Sequence, residues 1–84
     1  MEAVDLLREL ESLSAALGIE VRYEPLEGSG GLCRYGGNTY VIIPNDLSLS
    51  QRVDALVDVL ARQPYDTVFV RPHLRDLLNS RMDA

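Results

Sequence analysis

The sequence predicts one small α+β domain spanning residues 1–84, with elements in the order α-β-β-β-α-(β)-α, a mainly antiparallel sheet and helices packed on one face. Three observations carry that expectation. Apolar residues keep helical spacing up to Gly18 and then switch at once to alternation. Glycine-bearing turns separate three short alternating segments. A helix-start signature follows the last of these.

Residues 2–17 read as an amphipathic helix. Ala3, Leu6, Leu7, Leu10, Leu13 and Leu17 recur at three- and four-residue steps, with Glu2, Asp5, Arg8, Glu9 and Glu11 mainly opposite them. Acidic residues in the first turn suit the positive end of the helix dipole, and Gly18 stands where a left-handed cap belongs. Ile19, Val21 and Tyr23 then alternate with Glu20, Arg22 and Glu24, as in a strand with one buried face, and Pro25 ends it. Residues 27–31 form a flexible loop. Residues 32–35 and 39–43 are two more strands, joined at Gly36-Gly37-Asn38, which accepts the positive φ of a tight hairpin. After Pro44, Ser48 and Gln51 make a capping box that opens a helix over 49–62, with a buried stripe of Val53, Leu56, Val57 and Leu60. Pro64 and Asp66 mark a turn and residues 67–70 a short extended segment. Pro72 starts a last helix carrying Leu74, Leu77 and Leu78, and the tail 79–84 is expected to fray.

Composition narrows the function classes. A chain 46% hydrophobic and 25% charged folds rather than staying disordered. A net charge of −5 argues against nucleic acid, which needs a basic patch. No apolar run approaches about 18 residues and no leader opens the chain, so no membrane span or signal peptide is expected. A single cysteine rules out an internal disulfide and fits a reducing cytoplasm. All 8 basic residues are arginine, a bias that fits a GC-rich genome or a salt-adapted cytoplasm, codon bias being the plainer cause.

Candidate chemistry is sparse. Cys33 is the sole thiol; His73, the sole histidine, is about forty residues away, so Cys33 is expected in the core rather than as a nucleophile. His73 is expected to be solvated or to cap its helix. One Cys and one His do not complete a zinc site, so no metal or other cofactor is expected. Asp54 and Asp58 share a helix face, where paired carboxylates can hold a cation or a proton, but that face is the solvated flank. Gly28-Ser29-Gly30-Gly31 superficially suits a phosphate, yet a strand follows it and the chain has no lysine. Tyr23, Tyr35, Tyr40, Tyr65 and Phe69 are too many aromatics for one thin core, so some are expected at an interface, where edge strands also invite a second copy.

Two resemblances rest on quoted residues. Ile19-Glu20-Val21-Arg22-Tyr23, Gly30-Gly31-Leu32-Cys33, Tyr40-Val41-Ile42-Ile43-Pro44-Asn45 and Asp46-Leu47-Ser48-Leu49-Ser50-Gln51-Arg52 resemble the first half of an ImmA/IrrE-type zinc metallopeptidase domain, over residues 1–62. The His-Glu-x-x-His motif of that family would fall on residues 57–61, where Val57 and Ala61 replace the histidines and Asp58 the glutamate. The resemblance therefore implies a fold without the metal site. The segment Gly30-Gly31-Leu32-Cys33-Arg34, with the ending at residues 66–78, is similar to a group of short uncharacterised bacterial proteins, which implies a stand-alone cytoplasmic protein and no particular activity.

The resulting expectation is a non-enzymatic protein–protein interaction module, a homodimer or the partner of another protein. Its expected interface or ligand surface is Gly30, Gly31, Cys33, Tyr35, Tyr40 and His73. The alternative is a small-molecule, metal or enzymatic site around Cys33 and His73 in a degenerate metallopeptidase-like fold.

Overall fold

The computed structural model describes residues 2–28 and 30–83. Met1, Ser29 of the expected 27–31 loop and Ala84 of the expected tail lie outside the described residues. The chain runs α1 (Ala3–Ala16), β1 (Ile19–Glu24), β2 (Gly31–Tyr35), β3 (Asn38–Pro44), α2 (Leu49–Leu60), a 3₁₀ turn (Tyr65–Thr67) and α3 (Pro72–Asp83). This is the α+β class that the sequence predicts.

Local chemistry sets most boundaries. Gly18 leaves α1 at φ 77°, a conformation that costs glycine nothing, so the helix hands over directly to β1. Gly36 and Gly37 have φ of 60° and 84°, the two positive values of a type I′ turn, and Tyr35 pairs with Asn38 across it. At α2 the Ser48 hydroxyl accepts from the Gln51 N–H at 3.2 Å, while the Gln51 side chain accepts from the Ser48 N–H at 2.9 Å. Both capping-box bonds are thus made.

The sheet order is β1-β3-β2. β3 is central, antiparallel to β2 and parallel to β1, with Ile19 opposite Thr39 and Tyr23 opposite Ile43. The sheet is therefore mixed, which corrects the expectation of a mainly antiparallel one. The cause lies in residues 25–30. Instead of turning back beside β1, they carry the chain across the end of β3 to its far side. That step is about two strand spacings, or 10 Å, well within their extended reach of about 20 Å. The crossing is tight at Gly30, where a Cβ would stand 2.0 Å from the Ile42 carbonyl oxygen.

Strand alternation then sorts the two faces. Ile19, Val21, Tyr23, Val41 and Ile43 point toward α1 and α2, and register puts Leu32 on the same face, opposite Val41. Leu10, Leu56, Leu60 and Leu78 are fully enclosed and form the centre of the core. Ser14, the one buried polar side chain among the described residues, donates to the Leu10 carbonyl at 2.9 Å. On the other face, by register, lie Glu20, Arg22, Glu24, Cys33, Tyr35, Tyr40 and Ile42.

Two C-terminal expectations are overturned. Residues 67–70 do not form a strand: the 3₁₀ turn is followed by an extended stretch that lies along α1 beside Leu13 and Ala16. A helix has no free backbone groups to offer a ladder, so the alternation of Val68, Phe69 and Val70 sorts burial without strand pairing. Residues 79–83 of the tail do not fray either. α3 continues to Asp83, anchored by buried Leu78 and by Arg81, whose Nη2 donates to Asp54 Oδ1 at 2.6 Å.

Candidate functional site

The charge pattern singles out one surface. A quarter of the chain is charged, yet residues 28–45 carry a single charge, Arg34. These residues are the β2–β3 hairpin with its flanks, and β2 is a free edge of the sheet. Apart from half-buried Gly31, every residue of β2 is exposed. In a hairpin with a two-residue turn the closing pair, Tyr35 with Asn38, is hydrogen-bonded, and the alternation makes Cys33–Tyr40 the next such pair. The N–H and C=O groups of Leu32 and Arg34 therefore point outward, away from β3, with no strand to meet them.

Both sides of this edge are open. On the helix side the cover over β2 is incomplete, leaving Leu32 42% exposed. The gap is a groove of about 1050 Å³, its floor formed by Leu32, Val41 and Ile43 and its α2 wall by Gln51, Asp54 and Asp58. Both aspartates are occupied. Arg81 reaches Asp54 at 2.6 Å and Asp58 at 3.8 Å, and Arg62 reaches Asp58 at 3.7 Å. On the other side Tyr35 is 80% exposed, and the Arg22 guanidinium lies 5.7 Å from the centre of the half-buried Tyr40 ring.

The expected site residues are divided by this arrangement. Gly30, Gly31, Cys33, Tyr35 and Tyr40 come together on the hairpin. Cys33 is exposed, which corrects its placement in the core: it shares the uncovered face with Tyr40, opposite it in register, while Leu32 takes the helix side. His73 lies elsewhere. It is solvent-exposed, as expected; its Nε2 is 2.9 Å from Glu9 Oε2 in α1, and Arg71 Nε is 3.2 Å from the other Glu9 oxygen. The contact pins the start of α3 to α1. Cys33 and His73 thus lie on opposite sides of the sheet. Among the described residues no three His, Cys, Asp or Glu side chains cluster as a metal site, and no helix is long and apolar enough to cross a membrane. Val57 and Ala61, at the histidine positions implied by the metallopeptidase resemblance, are core residues.

One titratable group is clearly shifted, and it lies in the joint between α1, β1 and α2. The Tyr23 hydroxyl donates to Glu11, and the Arg52 guanidinium sits 5.1 Å from the Tyr23 ring centre while donating to the carbonyls of Leu47 and Asn45. Burial, followed by the bond to the Glu11 carboxylate and its charge, pushes the Tyr23 phenol above its usual range, against a smaller opposing pull from Arg52. Folded Tyr23 therefore holds its proton where the unfolded phenol, near 10, has lost it. This contribution to stability is complete below about pH 10 and declines as pH rises further. Urea midpoints measured from about pH 8 to 11 should show that decline, and Tyr23→Phe should make it shallower.

The groove and the free edge had no sequence signal of their own, because the groove depends on how α2 seats on the sheet and the edge on the strand order β1-β3-β2. The charge-free stretch was readable. Compared with protein-family models, curated proteins and solved structures, the chain matches none.

Proposed function

We propose that this protein is a non-enzymatic protein–protein interaction module that works as a homodimer in the cytoplasm, using the hairpin as its contact surface. The observation that carries this reading is the free edge of β2 within the one charge-depleted surface of an acidic chain. Depletion of charge and enrichment of aromatics mark the centres of protein interfaces, and an unprotected edge strand is a template for another chain. Arg34 is the only charged residue of the hairpin, and Tyr35 supplies an exposed ring. An enzymatic site built on Cys33 and His73 is the weaker reading, since the two side chains face different surroundings. The single free cysteine suits a reducing compartment.

Native mass spectrometry and light scattering across a range of concentrations test the proposal. A dimer mass is expected at micromolar protein, and Tyr35→Ser should weaken it by about tenfold or more, as truncating a central aromatic does. A monomer at every concentration would overturn the reading.

A further inference from the structure

We infer that the second copy adds to the sheet along β2, antiparallel, with the Cys33 residues of the two copies facing each other at the two-fold axis. This inference rests on the homodimer reading and specifies its register. Only Leu32 and Arg34 present outward backbone groups, so an antiparallel partner has three ways to set such groups against each other. Leu32 against Leu32 leaves Arg34 opposite Gly30, which lies outside β2 and whose φ of +72° takes it out of the extended region. Arg34 against Arg34 sets two like charges directly opposite, which destabilises a strand pair. Leu32 against Arg34 closes four hydrogen bonds, two at each end, with no like charges opposed.

The side chains fit the same register. On the uncovered face, Tyr35 falls opposite Gly31 of the second copy, beside which a Cβ would meet nothing within 4 Å. An aromatic ring laid over a bare edge glycine is a known stabilising pair. On the helix side, Arg34 of the second copy falls opposite Leu32, over the groove whose α2 wall holds Asp54 and Asp58. Arg34 makes no ion pair among the described residues, so it reaches the groove of its copy with no partner on its own chain. Two chains of net charge −5 meet along β2, whose one charge is Arg34. The product is one six-stranded sheet, β1-β3-β2-β2-β3-β1, with all helices on one face and the two grooves running together.

Cys33 serves as a built-in reporter. Facing non-hydrogen-bonded residues in an antiparallel pair have Cα atoms about 4.5 Å apart, within disulfide range. The diazene diamide takes one hydrogen from each thiol, becoming the hydrazine and leaving one S–S bond. The full chain treated with diamide should convert mostly to a covalent dimer, and Cys33→Ser should not. Leu32 is partly exposed, so charges are tolerated there. Leu32→Glu should tighten the dimer several-fold by facing Arg34, and Leu32→Lys should weaken it several-fold. If both weaken it, the Leu32–Leu32 register holds and the inference is overturned. A dimer that neither cross-links nor responds to the sign of the charge overturns the register and leaves the homodimer standing. A monomer at all concentrations, or a mass showing a different chain on β2, overturns both.

Discussion

Gly30→Ala is expected to lower stability by about 3 kcal/mol or more. Its φ of +72° already costs a residue with a Cβ about 1–2 kcal/mol, and the added methyl would stand 2.0 Å from the Ile42 carbonyl oxygen and 3.2 Å from Pro44 Cδ. The obstruction is backbone in the middle strand, not the tip of a flexible side chain, so relief requires moving either β3 or the crossing itself. Gly36→Ala is the control. Its φ of +60° is as strained, but nothing lies within 4 Å, so its cost should stay near 1–2 kcal/mol. Urea denaturation of the two variants separates conformational strain from collision. Equal midpoints would mean that residues 25–30 do not cross close over β3.

Leu10→Ala should cost about 3–5 kcal/mol. Leu10 is wholly enclosed in α1, and the gap it leaves is bounded by elements already tied to one another. Tyr23 holds α1 to β1 through Glu11, and Glu9 holds α1 to the start of α3, so collapse into the cavity is restricted. A domain of this size has only about 4–13 kcal/mol in total, and such a loss takes a large share of it. Phe69→Ala should stay within about 0.5 kcal/mol, because the Phe69 ring is 84% exposed. The contrast, read from denaturation midpoints at unchanged slope, separates core from surface more sharply than hydrophobicity does.

Much of the fold was legible because its signals are local. Helical spacing in α1 and α2, the Ser48–Gln51 box and the Gly36–Gly37 turn each depend on neighbours within about four residues, and each is present in the structure. Parallel pairing of β1 with β3 was not legible, since alternation looks the same whichever way the partner runs. Cys33 was misplaced for a related reason. In Leu32-Cys33-Arg34-Tyr35 both faces carry one apolar candidate, and register with β3, not composition, decides which faces the helices. The segment 67–70 alternates like a strand but lies against a helix. Glu9 and His73, sixty-four residues apart, carry no pattern that links them. At the candidate site the residues were legible as a group, whereas the open edge follows from the strand order and the groove beside it from how α2 seats on the sheet.

The parallel position of β1 also bears on how the chain is made. Residues 3–24, made before β2 and β3, build a helix and a strand whose partner has not yet been synthesised. β3 can form a hairpin with β2 as soon as both exist, a local event on a microsecond scale, whereas β1 must wait for β3 across residues 25–37. The growing chain therefore holds this apolar strand in reserve, and α1, which packs on β1, covers it until the middle of the sheet arrives.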